Sequence, residues 1–347
     1  PVIELFRESH PDYLILLTFY SPSGYELRKD YAHADYIYYL PLDTRKNAKR
    51  FLGIVSPEVA VFVKYDFWKN FLTELKNRDI NCYVISAIFR PTQLFFKSYG
   101  ASYAALLRNF THLFVQNKES QQLLHSIGID RVTVCGDTRF DRVMSIANSA
   151  KELELFKQFS EGSEVFITGS SWEKDDEITL GLIENFKKVK FIIAPHELCE
   201  AKIAKLYSDI EQLGRKVVRY TQIDDVQKAA ECEVIIIDTI GILSKVYRNA
   251  DYAYIGGGFG VGIHNTLEAA TFGIPMIFGP NYQRFAEAVS LVELGVATPI
   301  DDANGAQRWL FDMQNNPAKR ENLNQICKSF VEDNVGACQK IINHPLV

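Results

Sequence analysis

The residues with the clearest chemical potential lie between positions 251 and 285, which read DYAYIGGGFGVGIHNTLEAATFGIPMIFGPNYQRF. A short apolar strand, Tyr252–Ile255, is predicted to end in a glycine-rich loop, and a helix is predicted to begin after His264 and Asn265. Glycines let the backbone approach an anion, and a helix start offers unpaired N–H groups and a positive dipole end. Glu268, one turn into that helix, is placed to accept two ribose hydroxyl groups. This pattern predicts a nucleotide-phosphate site.

A purely structural role explains part of the same stretch. Asn265 and Glu268 have the spacing of a capping box, and glycines after a strand often form only a tight turn. The order of the features favours binding, because strand, glycine loop, His-Asn, helix, glutamate, Gly-x-Pro and a second strand follow one another. Ligands of parallel α/β sheets bind beyond the carboxyl ends of the strands, and the motif lies at such an end.

The composition is that of a soluble globular protein with room for about two domains. Of the 347 residues, 47% are hydrophobic and 23% are charged, and the net charge of −5 does not favour nucleic acid as the main partner. Six cysteines without a CxxC pair favour buried thiols in a reducing compartment. No apolar run approaches the ~18 residues of a membrane span. Because the first residue is Pro1 and no signal peptide is present, we expect the chain to start inside a longer gene product.

The elements that must position the site alternate along the whole chain. Apolar strands are predicted at residues 13–20, 36–40, 59–65, 81–88, 112–116 and 132–135, and again at 165–168, 190–194, 217–220, 234–238, 252–255, 275–278 and 297–300. Helices are predicted between them, including a long one over residues 92–109. Apolar strands that alternate with helices predict parallel sheets covered on both faces.

This alternation predicts an α/β fold with two Rossmann-like domains. The predicted domains are residues 1–145 and 164–325, joined by a polar linker at 146–163 and followed by a helical tail at 326–347. Two such halves with a trailing helix indicate the GT-B glycosyltransferase architecture, with the active site in the cleft between the domains.

Several polar residues outside the glycine loop also follow predicted strands. Arg139 is an always-charged donor suited to a phosphate or carboxylate. His196 is a lone histidine at a strand end, where packing and capping are common alternatives to binding. Ser170 and Ser171 are equally suited to capping a helix and to binding a sugar or its phosphate. The basic stretch RKNAKR at 45–50 is either a solvated helix face or a contact for anionic lipid head groups.

Taken in order, these motifs form a series. The markers are TFYSPSGYE (18–26), YLPLD (39–43), KYDFWKN (64–70), GDTRFD (136–141), GSSWEKDDE (169–177), APHE (194–197), DTIG (238–241) and GGGFGVGIHNTLEAATFGIPMIFGP (256–280), with a following Phe285. Through nearly the whole chain they resemble the 3-deoxy-D-manno-octulosonic acid (Kdo) transferases, the lipid A glycosyltransferases of Gram-negative bacteria (glycosyltransferase family 30). A single marker is weak evidence for this resemblance, whereas the whole series in this order is specific to the family.

The resemblance implies an enzyme that transfers Kdo from CMP-Kdo to a lipid A precursor, lipid IVA, in lipopolysaccharide biosynthesis. It implies an inverting reaction without a metal or cofactor, at the cytoplasmic face of the inner membrane, with the acceptor on the N-terminal half. Asp66 and Arg139 would stabilise charge in the transition state. The residues that the resemblance implies for the donor site are Gly169, Ser170, Ser171, Pro195, His196, Glu197, Ile240, Gly241, Ile242, Gly258, His264, Asn265, Thr266, Leu267 and Glu268.

The chain departs from the family pattern in three respects. The family's general base, a glutamate in a glycine-containing motif, matches no residue here, and we expect it upstream of Pro1 together with the family's membrane-anchoring segment. His196 stands where arginine is common, and Ile242 stands where glutamate is common. Asp66 replaces a usual glutamate, which keeps the charge but shortens the reach by one methylene group.

Two other functions stay open at this point. Another GT-B transferase or a sugar-nucleotide epimerase would use a nucleoside diphosphate sugar, although a diphosphate site usually needs more cationic side chains than residues 256–268 offer. A catalytically silent module that binds a nucleotide or a partner would explain the unmatched general base. The phosphate count of the preferred nucleotide separates the first alternative from Kdo transfer.

Overall fold

The computed structural model describes residues 1–149, 151–260 and 262–346. They form two compact units, one of residues 1–142 with 334–347 and one of residues 143–333. The second unit therefore includes the whole predicted linker, and the predicted tail is shared between the units. Ala150 of the predicted linker, Val261 of the glycine loop and Val347 of the tail lie outside the described residues.

The described strands lie close to the predicted positions. They are β1 (Leu16–Phe19), β2 (Tyr36–Tyr39), β3 (Val59–Val63), β4 (Asn81–Ala87), β5 (His112–Val115), β6 (Val132–Val134), β7 (Val165–Ser171), β8 (Lys190–Pro195), β9 (Val217–Arg219), β10 (Val234–Ile236), β11 (Tyr252–Ile255), β12 (Met276–Phe278) and β13 (Ala297–Pro299).

The helices fill the intervals between the strands. They are α1 (Val2–Ser9), α2 (Pro22–Arg28), α3 (Arg45–Val55), α4 (Lys69–Asn77), α5 (Ala101–Leu107), α6 (Lys118–Ser126), α7 (Thr138–Ser149), α8 (Glu154–Ser160), α9 (Glu173–Asn185), α10 (Glu200–Gln212), α11 (Val226–Glu231), α12 (Leu243–Val246), α13 (Leu267–Thr271), α14 (Ala286–Glu293), α15 (Ala303–Asn315), α16 (Pro317–Asn334) and α17 (Ala337–Ile342). Short 3₁₀ turns occur at Leu94–Phe96, Tyr220–Gln222 and Tyr247–Asn249.

The predicted linker is instead helical and packed. Phe156 and Phe159 on α8 are fully buried, and Phe156 stacks on Tyr220 with 5.5 Å between ring centroids. Burying two aromatic side chains stabilises a short helix against the domain, because apolar burial is worth far more than helix propensity over seven residues. The polar residues around these two phenylalanines concealed the packing in the sequence.

The predicted long helix at residues 92–109 is also interrupted. A 3₁₀ turn at Leu94–Phe96 is followed by Gly100, after which α5 begins. A Cβ atom on Gly100 would lie 1.7 Å from the carbonyl oxygen of Leu94. The chain therefore folds back on itself here, which a continuous helix does not permit.

In the first unit the strands form two parallel sheets. β1 pairs with β2, while β3, β4, β5 and β6 pair in that order. The edge of β3 away from β4 pairs with no described strand, and Val61 and Val63 on β3 are about half exposed. The single sheet suggested by the strand and helix alternation is therefore divided between β2 and β3.

The second unit contains one seven-stranded parallel sheet in the order β13-β12-β11-β7-β8-β10-β9. Its central strands are buried on both faces; Ile192 on β8 and Tyr254 on β11 are fully buried. The chain starts at β7, adds strands on one side, and then returns to place β11 on the other side. Strand order thus reverses between β7 and β11, which is the position where doubly wound sheets bind ligands.

Candidate functional site

A cavity of about 360 Å³ opens at the carboxyl ends of β7 and β11. Seven of its lining residues were predicted from the sequence: Gly169, Ser170, His196, Gly241, His264, Asn265 and Glu268. Four others were not: Leu243, Ser244, Tyr247 and Ile255. The motifs from four separate stretches of the chain therefore meet at the point where the strand order reverses.

Three of the missed lining residues come from α12 and the turn after it. Tyr247 is almost completely buried, and its hydroxyl group lies against Gly169 at the end of β7: a Cβ atom on Gly169 would be 2.0 Å from that oxygen. Burial raises the pKa of Tyr247 far above its ordinary value, so the phenol stays protonated. The close approach of a tyrosine to a strand-end glycine gives no signal in the sequence of either segment.

The glycine loop is held by the buried carboxylate of Asp175, which belongs to the GSSWEKDDE motif. Asp175 is 1% exposed. It accepts hydrogen bonds from the backbone N–H groups of Trp172 and Gly257, at 2.9 and 2.8 Å, and from the hydroxyl group of Tyr254, at 2.7 Å. One side chain thereby ties the turn after β7 to the end of β11 and to the first part of the glycine loop.

Asn265 and Glu268 interact directly, although not as a reciprocal capping box. The Asn265 Oδ1 accepts from the backbone N–H of Leu267 at 3.2 Å, and its Nδ2 donates to Glu268 Oε1 at 3.0 Å. Burial raises the pKa of Glu268 above its ordinary value, and the hydrogen bond from Asn265 partly opposes this rise. Asn265 therefore caps α13 and orients the carboxylate, which is positioned to accept further hydrogen bonds from a ligand in the cavity.

Three rings form a stack at the edge of the cavity, which we call the ring stack: Trp172, His196 and His264. The His196 ring centroid lies 4.6 Å from that of Trp172 and 4.3 Å from that of His264, with interplanar angles of 28° in both pairs. Trp172 Nε1 donates to His264 Nε2 at 3.1 Å. The two histidines of separate motifs are therefore neighbours, and Trp172 positions both of them.

The chain is similar in sequence to one family of known proteins. A family model described as 3-deoxy-D-manno-octulosonic-acid transferase (Kdo transferase) matches residues 1–142. A 3-deoxy-D-manno-octulosonic acid transferase of Chlamydophila psittaci is 25% identical and covers 88% of this chain and 71% of its own length. The enzyme of the same name from Haemophilus influenzae is 24% identical and covers 99% of this chain and 82% of its own length. The first 142 residues therefore match the Kdo transferase family model, and the similarity to these two enzymes extends over most of the chain.

Solved structures confirm the fold class. The UDP-GlcNAc 2-epimerase of Neisseria meningitidis, solved with UDP-GlcNAc, aligns with a TM-score of 0.67 and 17% identity, covering 99% of this chain and 94% of that one. At this identity the likeness concerns the fold alone. The α/β fold with two Rossmann-like units was therefore predicted correctly from the strand and helix alternation and the family motifs.

The remaining donor-site positions of the Kdo transferase motifs lie outside the cavity lining. Ser171, Pro195 and Glu197 border a separate small pocket beside Trp172. Ile240 is 82% exposed, and Ile242 directly precedes α12. None of these five side chains lines the large cavity of this structure.

Three further predicted donor residues are structural in this arrangement. Thr266 and Leu267 are fully buried. Gly258 lies against the backbone of Gly279, since a Cβ atom on Gly258 would be 2.5 Å from the Gly279 nitrogen. These residues shape the loop and α13, and it is their neighbours that face the cavity.

The two predicted charge-stabilising residues of the Kdo transferase motifs lie in the first unit. Arg139, in the first turn of α7, donates from Nε to Asp137 Oδ2 at 2.8 Å, and Asp137 is itself 6% exposed. The buried Asp137 therefore orients the guanidinium group. Asp66 follows β3 on the surface, and partial desolvation raises its pKa.

Asp66 lies shortly before α4 but does not cap it. The carboxylate of Asp43 instead accepts from the backbone N–H groups of Asn70 and Phe71, at 3.0 and 3.2 Å. No described residue forms a hydrogen bond with the Asp66 carboxylate.

Proposed function

We propose that this protein transfers Kdo from CMP-Kdo to a lipid A precursor in lipopolysaccharide biosynthesis, by an inverting route that requires no metal. The match of residues 1–142 to the Kdo transferase family model and the similarity to two Kdo transferases support the Kdo transfer. The observation that supports the donor site is the cavity at the strand-order reversal, where seven motif residues converge. In this proposal the second unit holds CMP and the first unit holds the acceptor.

The charge of the cavity favours a nucleoside monophosphate over a diphosphate. The described lining residues include two histidines and the carboxylate of Glu268, and they include neither lysine nor arginine. A diphosphate would bring at least two negative charges into this lining, whereas a CMP ester brings one on its phosphate. Desolvating an unpaired charge is costly, so each additional phosphate weakens binding here.

Glu268 is the proposed acceptor for the ribose hydroxyl groups. We expect Glu268→Ala to weaken CMP binding by about 1–3 kcal/mol, which is roughly 5- to 150-fold, because it removes charge-assisted hydrogen bonds. Calorimetric titration with CMP measures the change, and Glu177→Ala on the exposed face of α9 is the matched control. Unchanged CMP affinity in a folded Glu268→Ala protein would contradict ribose binding by Glu268 and would leave it only its hydrogen bond with Asn265.

The catalytic assignments concern the first unit. We assign transition-state stabilisation to Asp66 and to Arg139, whose guanidinium group is held by the buried Asp137. The test is a mass-spectrometric assay of Kdo transfer from CMP-Kdo to lipid IVA. A Kdo-extended lipid is the expected product, and Arg139→Ala should reduce it; CMP release without an extended lipid contradicts the proposal.

Contact with the membrane surface is assigned to α3. Thr44 caps this helix by accepting from the Asn47 N–H at 3.2 Å. Its basic side chains are exposed, while Ala48 and Leu52 on the other face are buried. Among the described residues no helix is long and apolar enough to cross a bilayer. Because the basic face of α3 is exposed, we propose that it contacts anionic lipid at the cytoplasmic side of the inner membrane, where the acceptor resides.

The lipid contact predicts a measurable loss of binding. We expect the double change Lys46→Gln and Lys49→Gln to weaken sedimentation with anionic phospholipid vesicles by roughly 30-fold, since each cation near the surface contributes about 1 kcal/mol. The control is Lys187→Gln with Lys188→Gln, which removes the same charge from the second unit. Equal losses in both double variants would show a net-charge effect and contradict a specific contact through α3.

A further inference from the structure

The backbone of β4 is irregular near its carboxyl end. Ser86 is fully buried and adopts a φ of 52°, in the left-handed region that residues other than glycine rarely occupy. The pairing of β4 with β5 shifts register between Val84 and Ala87, so Ser86 belongs to a β-bulge. Bulges re-aim a side chain relative to a regular strand, and left-handed residues other than glycine cluster at functional sites.

The same backbone feature occurs at the cavity of the second unit. Ser170 on β7 has a φ of 55°, and the pairing of β7 with β8 shifts register between Gly169 and Ser171. Ser86 and Ser170 are the two left-handed residues other than glycine within the described strands, and they lie at the two described register shifts. Since Ser170 lines the cavity, the matching feature of β4 marks its end as a candidate ligand-contacting edge in the first unit.

The bulge of β4 is joined to the segment that carries Asp66. The carbonyl oxygen of Ile85 accepts from the backbone N–H of Lys64 at 2.9 Å, and Lys64, with a φ of 55°, directly follows β3. The carbonyl oxygen of Ser86 accepts from Nε2 of Gln116, which directly follows β5, at 3.0 Å. The bulge therefore holds together the ends of three neighbouring strands, β3, β4 and β5.

The hydroxyl group of Ser86 contacts the start of α7, the helix that carries Arg139. Ser86 Oγ and Thr138 Oγ1 lie 2.8 Å apart, and the distance alone does not identify the donor. Thr138 directly follows Asp137, the buried carboxylate that accepts from Nε and from the backbone N–H of Arg139 at 2.8 and 2.9 Å. In the sequence, Thr138 thus lies between an assigned charge-stabilising residue and the residue that orients it.

Burial identifies the donor in this pair of hydroxyl groups. A hydroxyl group brings one proton and two lone pairs, and Ser86 is 0% exposed. Among the described residues, Thr138 is the only hydrogen-bond partner of the Ser86 hydroxyl group. If Ser86 accepted, its own proton would be buried without an acceptor, which is costly, so Ser86 donates to Thr138. Thr138 is partly exposed, and its own proton is left for water or a ligand.

We propose that Thr138 is a further substrate-binding residue, whose hydroxyl group, directed by Ser86, donates a hydrogen bond to the anionic oxygen group that Arg139 neutralises. This inference rests on the proposed Kdo transfer and on the role assigned there to Arg139. The anionic group is a carboxylate or a phosphate of the donor or of a phosphorylated acceptor. A neutral donor next to the arginine adds a charge-assisted hydrogen bond without adding a charge. Ser86 acts on the substrate only through Thr138 and is therefore a positioning residue.

The test measures kcat and KM for Kdo transfer from CMP-Kdo to lipid IVA, together with Tm, in a set of variants. Thr138→Val keeps the shape of the side chain and should lower kcat/KM by about 10- to 100-fold, because it removes one hydrogen bond to a charged group. Thr138→Ser retains the hydroxyl group and should stay within about threefold of the unmodified protein. The control is Thr73→Val, which removes an exposed hydroxyl group bonded to the Lys69 carbonyl oxygen within α4 and should leave transfer unchanged.

A double variant separates substrate binding from local packing. Thr138→Val leaves the Ser86 hydroxyl group buried without an acceptor, so it should also lower Tm. Ser86→Ala combined with Thr138→Val removes both hydroxyl groups, and replacing both partners by apolar groups is nearly neutral for stability. The Tm of the double variant should therefore return toward that of the unmodified protein, while its kcat/KM stays as low as in Thr138→Val. A purely structural pair of hydroxyl groups predicts instead that transfer recovers together with Tm.

A lipid acceptor without phosphate groups identifies the source of the anion. If Thr138→Val and the unmodified protein have equal kcat/KM with this acceptor, the bound group is an acceptor phosphate; if the difference persists, the group belongs to the donor. Transfer to lipid IVA by Thr138→Val within about twofold of the unmodified protein, or recovery of transfer in the double variant, overturns the inference and leaves the proposed function standing. Absence of Kdo transfer by the unmodified protein overturns both.

Discussion

Asp175→Ala should lower the free energy of unfolding by about 3–5 kcal/mol, the largest effect we expect from a single substitution. The reason is that Asp175 is buried and accepts from Trp172, Tyr254 and Gly257. Removing the carboxylate leaves these three buried donors without their protein partner. Chemical denaturation, followed by the tyrosine and tryptophan fluorescence of the second unit, measures the change.

The same substitution should remove CMP binding, because Asp175 holds both the turn after β7 and the glycine loop at the cavity. Asp175→Asn should be intermediate, since its amide oxygen still accepts while its NH₂ group faces donors. Glu177→Ala, an exposed carboxylate on the same helix that pairs with Lys174 at 2.8 Å, should change stability by less than about 0.5 kcal/mol. A loss below about 1 kcal/mol for Asp175→Ala would show that the loop is held by other contacts.

Gly169→Ala should be the second large effect, with a loss of about 2–3 kcal/mol in stability and of most CMP binding. The added methyl group would lie 2.0 Å from the Tyr247 hydroxyl oxygen and 3.1 Å from its ring carbon Cζ. Tyr247 is buried, so it moves only by displacing its neighbours, and it lines the cavity. Thermal denaturation and CMP titration report the two parts of the effect.

A second substitution tests whether the contact with Tyr247 causes the loss of stability in Gly169→Ala. Gly169→Ala combined with Tyr247→Phe should recover part of the stability, because the phenylalanine lacks the oxygen that the methyl group meets. The matched control is Gly181→Ala on α9, where the added methyl group meets its nearest neighbour at an ordinary 3.5 Å; there the substitution should be neutral or stabilising by up to about 1 kcal/mol. If the double variant is no more stable than Gly169→Ala alone, the contact with Tyr247 is not the cause.

The sequence was informative wherever a single segment carries its own signal. The run at β11 is uniformly apolar and is followed at once by glycines, so its position, its burial and its place beside a cavity were predictable from residues 252–268. The same holds for the short motifs after β7 and β8, because strand ends of a parallel sheet share one edge.

The features that could not be predicted from the sequence depend on contacts between distant segments. Asp43 caps α4 across 27 residues, and Tyr247 fits against Gly169 across an even longer separation. The ring stack joins three motifs that each contribute one ring. Such pairings require the register of the strands and the direction of each side chain, and neither is encoded in local periodicity.

The packing of the predicted linker was missed for a different reason. Polarity between residues 143 and 163 was a correct observation, but two buried phenylalanines outweigh it energetically. Likewise, a helical pattern over residues 92–109 was interrupted by one glycine whose backbone approach to Leu94 excludes a side chain. In both places tertiary packing determined the structure.

The most direct test of the proposed function is calorimetric competition among CMP, UDP, GDP and ADP for this chain. The cavity lies wholly within the second unit, so the measurement addresses the donor site without requiring catalysis. Our account predicts that CMP binds in preference to the three diphosphates and that Glu268→Ala weakens the binding of all four ribonucleotides. Tighter binding of any nucleoside diphosphate than of CMP would contradict the assignment of the cavity to CMP-Kdo, while the fold and the architecture of the site would stand.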